Sequence, residues 1–180
     1  GEWYSTGAAS FTDVTDPNTT VYLAPNENKL FWTITSGCGE SKDSISLVNR
    51  RPTDADAGED IAVCAGSATL QANTPVSGQG SWSAEQPAIT FSSTSDPNAT
   101  VDNLLQGANT LTWRITDGTS SACGNSSDKV IVTNNTPSTA NAGEDQTVCN
   151  DYVNLEATAP AIGNGEWHVV QSSGSFQQAT

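Results

Sequence analysis

An internal repeat with a period of about 85 residues limits the folds open to this chain. The octapeptide AGEDIAVC at 57–64 returns as AGEDQTVC at 142–149, an offset of 85 (149 minus 64). Four further landmarks recur in the same order at offsets of 79 to 85, namely Gly-x-Trp at 1–3, 80–82 and 165–167, Asp-Pro-Asn at 16–18 and 96–98, Trp-x-Ile-Thr at 32–35 and 113–116, and Cys-Gly at 38–39 and 123–124. Recurrence at a fixed period is the signature of a tandem array. The fold is therefore predicted to be that of a small domain repeated along the chain.

The repeat divides the 180 residues into one complete unit and two partial ones. We predict the complete unit at 53–137 (the second unit). Residues 1–52 match the C-terminal part of a preceding unit (the first unit), and residues 138–180 match the N-terminal part of a following one (the third unit). The sequence has neither an initiator Met nor a signal peptide, so we expect it to be a segment of a longer secreted chain.

Hydrophobic residues in the second unit recur with period two, which predicts β-strands. Trp113 and Ile115 alternate with threonine and arginine. In the next hydrophobic stretch, Val130 and Val132 are predicted to face inward and Ile131 outward. Stretches rich in Gly, Ser, Asn and Pro separate the strands and are predicted to be loops, at 73–80, 93–98 and 117–127. Seven short strands with an inward Trp on the third predict an all-β chain of immunoglobulin-like β-sandwich modules.

The charge of the chain excludes two classes of partner. Six Lys and Arg stand against 20 Asp and Glu, for a net charge of −14. Nucleic acids and anionic membrane surfaces both attract basic proteins, so we expect neither as a partner. No apolar run approaches the ~20 residues that a transmembrane helix needs, so we expect no membrane insertion.

Three motifs give the chain a family resemblance. ANAGEDQTV at 140–148, WRITD at 113–117 and DKVIVT at 128–133 resemble the polycystic-kidney-disease (PKD) family of immunoglobulin-like domains. The cysteine-bearing version is similar to tandem repeats in giant secreted surface proteins of Bacteroidota, among them gliding-motility adhesins of the SprB type, exported by type 9 secretion. The resemblance implies a stalk or filament repeat of a cell-surface adhesin for gliding and surface attachment. The implied location is extracellular, and the implied partners are neighbouring repeats and glycans or surface polymers.

Sequence motifs for catalysis are missing, and we predict that the chain is not an enzyme. It has no Gly-x-Ser-x-Gly, no His-Glu-x-x-His and no phosphate-binding glycine loop. Its single histidine, His168, is interpreted as a surface side chain, and no organic cofactor is expected. Two other functions remain open, a carbohydrate-binding module and a passive spacer in a secreted multidomain hydrolase. The tryptophans are interpreted as core residues, and Tyr22 and Phe31 as the better candidates for exposed aromatic residues.

Acidic residues cluster where one unit is followed by the next. Hard oxygen ligands at a linker suit Ca²⁺, and such an ion would stiffen the joint. The competing interpretation is a turn in which glycine adopts a positive φ and aspartate accepts bonds from nearby amides. The candidate calcium ligands are Asp54, Asp56, Glu59, Asp60, Glu144 and Asp145.

The four cysteines suit disulfides better than zinc, because no two of them form a Cys-x-x-Cys pair. A bridge between Cys64 and Cys123 inside the second unit is one prediction. A bridge from Cys64 to the hairpin of the following unit is the alternative, because the two cysteines tend toward opposite ends of a sandwich. If Cys64 and Cys123 pair inside the second unit, Cys38 and Cys149 would find their partners outside the 180 residues.

One serine is a candidate for modification. Asp43-Ser44-Ile45 resembles the Asp-Ser/Thr-aliphatic acceptor of the O-glycosylation system in Bacteroidota, which makes Ser44 the predicted acceptor. Four Asn-x-Ser/Thr triplets are interpreted as accidents of a composition rich in Ser, Thr and Asn.

Overall fold

The computed structural model describes residues 1–118, 123–170 and 174–176, and in this part of the chain it is built from β-strands without an α-helix. Among the described residues, no helix has the length and hydropathy that crossing a membrane requires. The predicted all-β class is confirmed.

Seven strands of the second unit form two sheets that face each other. The strands are β6 (Ile61–Val63), β7 (Ser67–Thr69), β8 (Gln79–Ala84), β9 (Thr90–Phe91), β10 (Thr100–Asp102), β11 (Gly107–Thr116) and β12 (Asn125–Asn134). One sheet has the order β6-β12-β11-β8 and the other the order β7-β10-β9. The pairing of β6 with β12 is parallel, and the other pairings are antiparallel. This arrangement is an immunoglobulin-like sandwich with Trp82 on the third strand, as the sequence predicts.

The core of the sandwich follows the predicted alternation. Trp113, Ile115, Val130 and Val132 are each 0% exposed, whereas Ile131 is 39% exposed on the outer face. Further fully buried side chains are Val101, on β10 of the facing sheet, and Leu70, directly after β7. Burial of one such aliphatic side chain stabilises the fold by about 1.5–3 kcal/mol, so the unit has a core of its own.

The glycine of the Gly-x-Trp landmark leaves room for a tryptophan ring of the core. Gly80 has no side chain, and a Cβ atom there would overlap the indole ring of Trp113. The ring of Trp82 lies 5.0 Å from that of Trp113 and 6.3 Å from that of Phe91. The first unit repeats the arrangement, because a Cβ atom at Gly1 would overlap the ring of Trp32. The ring centroid of Trp3 lies 5.1 Å from that of Trp32 and 6.1 Å from that of Phe11.

The first unit has the strands that correspond to β8–β12. They are β1 (Glu2–Ser5), β2 (Ser10–Phe11), β3 (Val21–Tyr22), β4 (Asn26–Ser36) and β5 (Gly39–Asn49), paired as β1-β4-β5 and β2-β3. Ile34 and Ile45 on the inner face are 52% and 47% exposed, whereas their counterparts Ile115 and Val130 are buried. The difference arises because the segment that would match 53–78 is not among residues 1–52.

The described residues of the third unit contain no strand, yet they keep the turns of the second. Gly143 has φ 89° where Gly58 has φ 84°. Val148 and Leu155, the counterparts of Val63 and Leu70, are 47% and 45% exposed. They are exposed because the described residues of the third unit contain none of the strands that bury Leu70 in the second unit.

Two predicted loops are shorter than expected. Strand β8 begins at Gln79 and strand β12 at Asn125, inside the predicted loops 73–80 and 117–127. Both strands extend because Thr116 pairs with Gln79 on one side and with Asn125 on the other. Residues 119–122 of the second loop lie outside the described residues.

Candidate functional site

A buried asparagine fixes the start of β4 in the first unit and of β11 in the second. In the second unit, the Asn109 amide nitrogen donates to the carbonyls of Leu105 (2.8 Å), Gly107 (2.9 Å) and Val132 (3.1 Å). Its carbonyl oxygen accepts from the Leu105 amide at 2.9 Å. In the first unit, the Asn28 amide nitrogen donates to the carbonyls of Ala24 and Asn26, and its oxygen accepts from the Ala24 amide. Sequence reasoning missed these residues, although their common offset from the Trp-x-Ile-Thr landmark is a usable signal.

A second asparagine marks the point where the chain leaves a unit. The Asn134 amide donates to the Leu104 carbonyl at 3.1 Å, and its oxygen accepts from the Thr136 amide at 2.9 Å. In the first unit, the Asn49 amide donates to the Leu23 carbonyl at 3.3 Å, and its oxygen accepts from the Arg51 amide at 3.0 Å. The exit from the first unit and the exit from the second therefore have one geometry.

The entries to the second and third units are each held by a hydroxyl group. The Thr53 oxygen accepts from the amides of Val76 and Ser77, both at 2.9 Å. Ser138 takes the same place in the third unit, where its oxygen accepts from Ala161 (3.0 Å) and Ile162 (3.1 Å). The junctions thus repeat in structure as well as in sequence.

Hydrogen bonds also cross the junctions. The Asn26 amide of the first unit donates to the Val76 carbonyl of the second at 3.1 Å. At the next junction, the Ser138 hydroxyl of the third unit donates to the Gln106 side-chain oxygen of the second at 3.4 Å. The Gln106 amide also donates to the Thr136 carbonyl within the second unit, at 3.0 Å. Each junction is therefore bridged by a side chain at or directly before the start of a long strand, Asn26 as the first residue of β4 and Gln106 directly before β11.

The structure does not gather the predicted calcium ligands. Asp54 pairs with Arg51 at 3.1 Å, the Asp56 carboxylate accepts from the Gly58 amide at 2.9 Å, and the Asp60 carboxylate accepts from the Ile131 amide at 2.8 Å. The remaining candidates Glu59, Glu144 and Asp145 are exposed. Within the described residues, no group of three or more His, Cys, Asp or Glu could hold a metal ion. The contact of Asp56 with Gly58, whose φ is 84°, is that of the alternative interpretation, a turn.

The cysteines lie at opposite ends of the sandwich. Cys64 follows Val63, which pairs with Asn134 at the end of β12, whereas Cys123 precedes the first residue of that strand. The ten residues of β12 separate these ends by about 30 Å at 3.4 Å per residue, and a disulfide requires Cα atoms within about 7 Å. All four cysteines are free and exposed. The structure therefore does not form the predicted internal bridge.

His168, predicted to be a surface side chain, and Ser44, the predicted glycan acceptor, are both exposed. His168 is exposed, and its Nε2 lies 3.5 Å from a carboxylate oxygen of Glu166. Ser44 is exposed on β5, directly opposite Phe31 on β4. Its role as a glycan acceptor stays a prediction.

Aromatic and basic side chains meet on the outer face of the first unit. The rings of Tyr4 and Phe31 stack with centroids 4.9 Å apart and planes 10° apart. The Lys42 ammonium lies 4.4 Å and 4.3 Å from the two centroids, and the Lys29 ammonium lies 5.5 Å from Phe31. Tyr22 is 66% exposed, as predicted. Phe31 is only half-buried rather than fully exposed, because Tyr4 covers one face of its ring.

A cavity of about 560 Å³ adjoins the stacked rings. Its lining is mainly polar, with two threonine hydroxyls and two carboxylates beside the tyrosine ring. The lining residues are Gly1, Glu2, Tyr4, Thr33, Thr35 and Glu40. We call this cavity, together with the side chains of Tyr4, Phe31 and Lys42, the aromatic face.

No protein-family model and no curated protein sequence matches this chain. Among solved structures, it is similar to a chimeric titin Z1Z2-Z1Z2 tandem functionalised with a GRGDS peptide from fibronectin, at 16% identity and a TM-score of 0.34 over 73% of this chain and 82% of that one. It is also similar to the S-layer protein SbsC (31–844), at 16% identity and a TM-score of 0.35 over 94% of this chain and 24% of that one. The chain spans about a quarter of that S-layer structure. Similarities at this level assign neither a family nor a ligand.

Proposed function

We propose that the chain is part of the load-bearing stalk of a secreted, cell-surface adhesin or filament. The observation that carries the proposal is the path of the chain through the second unit. The segment that enters the unit runs parallel to β12, the strand that leaves it. Entry and exit therefore lie at opposite ends of the sandwich, and successive units can follow one another end to end.

The entering and leaving segments are joined along their length. The Ala55 amide donates to the Ser126 hydroxyl and the Ala57 amide to the Asp128 carboxylate, both at 2.8 Å. The Ile131 amide donates back to Asp60, and β6 then pairs with β12. Tension between the two ends pulls these parallel segments past each other, so all of their hydrogen bonds resist the load together. This geometry suits a stalk.

The surface and the junctions support the same role. A net charge of −14 keeps neighbouring shafts soluble and mutually repelling. The repeated exit, entry and bridging contacts hold consecutive units in a similar way, so reach grows with the number of units. A part in gliding motility and export by type 9 secretion follow from the family resemblance alone and belong to this proposal.

Force spectroscopy on the 180-residue chain, held between marker domains of known unfolding force, tests the mechanical role. We expect one high-force event that releases the second unit, about 85 residues and hence about 290 Å of chain at ~3.4 Å per residue. Asp60→Ala lowers the peak force because it removes the bond to Ile131, and Glu59→Ala, a change at the adjacent exposed carboxylate, leaves it unchanged. Extension without a resolved peak contradicts the proposal.

Antibody labelling tests the location. Antibodies raised against residues 53–137 are expected to label intact, unpermeabilised cells that produce the protein. Label that appears only after permeabilisation contradicts a surface stalk, whatever the force measurement shows.

A further inference from the structure

We propose that the aromatic face of the first unit binds a neutral glycan, a chain of uncharged pyranose sugars. This activity goes beyond the stalk role and does not depend on it. It would give the first unit a binding function that the second unit lacks.

The aromatic face lies on the outside of the sheet β1-β4-β5. Trp3 pairs with Trp32 and the following residue, Tyr4, pairs with Phe31. Because side chains alternate across a strand, the tryptophans point into the sandwich and the Tyr4–Phe31 pair points to solvent. Lys42 lies on β5, opposite Thr33 of β4, and its ammonium group contacts the same two rings from one side.

The fold does not need these side chains. In the matching register of the second unit, Ser83 pairs with Thr112 in place of the two rings, and Ser127 stands in place of Lys42. The second unit nevertheless forms the same sheet with a better-buried core. An exposed stacked pair that the sister unit lacks is therefore free to serve a ligand.

The chemistry of the aromatic face matches a sugar ring. A pyranose has an apolar face of C–H groups, which packs on an aromatic ring, and a rim of hydroxyl groups. Tyr4, 38% exposed, supplies the ring surface beside the cavity. The carboxylates of Glu2 and Glu40 can only accept hydrogen bonds, and the hydroxyls of Thr33 and Thr35 can accept and donate them. A cavity of about 560 Å³ lies within the usual range for small-molecule sites, about 300–1,000 Å³.

Charge selects a neutral sugar over a charged one. Glu2 and Glu40 line the cavity and the chain carries −14 overall, so both oppose an anionic polymer. The position over the two rings that attracts a cation is already taken by the Lys42 ammonium. An uncharged glycan is not repelled by the carboxylates and does not compete with Lys42 for the cation position.

Titration calorimetry on the full 180-residue chain tests the proposal. The neutral probes are cellohexaose, mannohexaose and xylohexaose, and the charged probes are hexagalacturonate and chitosan hexamer. We expect saturable binding of at least one neutral probe. The double variant Y4S/F31T, which installs the residues that the second unit carries at these positions, should weaken it at least tenfold. Tyr22→Ser, at an exposed tyrosine on β3, should leave it unchanged.

A second variant distinguishes loss of binding from a folding defect in the double variant. Glu40→Gln keeps both rings and should still weaken binding, with an unchanged thermal transition. The proposal is overturned if no neutral probe binds saturably, if the double variant keeps wild-type affinity, or if a charged hexamer binds more tightly than every neutral one. None of these outcomes bears on the force measurement, so the two proposals fail separately.

Discussion

The Cα atom of Gly80 lies against the indole ring of Trp113, at a distance that leaves no room for a methyl group. Gly1 and Trp32 repeat this contact in the first unit. The recurrence of Gly-x-Trp along the chain is therefore explained by packing, because one strand must pass close to the largest side chain of the core. This contact leads to the first prediction.

Gly80→Ala should destabilise the second unit by about 1–3 kcal/mol, the usual cost of overpacking a core. Gly66→Ala is the matched control, because no atom lies within 4 Å of the added Cβ and the glycine has no positive φ. Denaturant unfolding followed by tryptophan fluorescence measures both. Equal stability of the two variants would show that the glycine is not needed for packing.

Asn109→Ala should cost about 3 kcal/mol or more. The change removes four hydrogen bonds to backbone groups from a side chain that is 0% exposed, and a typical intramolecular hydrogen bond contributes about 0.5–1.5 kcal/mol. Asn18→Ala, at an exposed turn, is the control and should change the free energy of unfolding little. Thermal unfolding by circular dichroism compares them, and a loss below about 1 kcal/mol at Asn109 would contradict the role given to its side chain.

Asp60 is expected to act as a hydrogen-bond acceptor and not as a calcium ligand. Asp60→Ala should cost about 1 kcal/mol, and Ca²⁺ should neither raise the melting temperature nor produce heat on titration. Glu59→Ala should be neutral in both measurements. A calcium-dependent rise in melting temperature that Asp60→Ala abolishes would contradict this prediction and support the calcium interpretation.

The separation of Cys64 and Cys123 predicts a negative result for the 180-residue chain. Peptide mapping under non-reducing conditions should find no crosslink between them, and a reducing agent should leave the melting temperature unchanged. The alternative bridge, from Cys64 to the hairpin of a following unit, stays a prediction, because Cys64 lies at the end where the chain leaves the second unit. A 64–123 peptide would show that the sandwich distorts to form it.

Much of the fold could be predicted from the sequence because the relevant information is local. The period-two alternation around Trp113 and Val130 depends only on successive side chains pointing to opposite faces of a strand. The turn at Asp56 and Gly58 is likewise a matter of neighbouring residues. Asn109 escaped prediction because a polar residue inside a strand is recognised as buried only when its partners are known.

The sequence by itself determined the repeat, the class of fold and the inward face of each strand, because a short stretch of chain encodes each of them. Only the tertiary structure decided which distant residues meet. The parallel pairing of β6 with β12 separates Cys64 from Cys123, and the register of three strands brings Tyr4, Phe31 and Lys42 together. Such registers depend on the packing of both sheets at once, so neither pattern nor spacing along the chain reveals them.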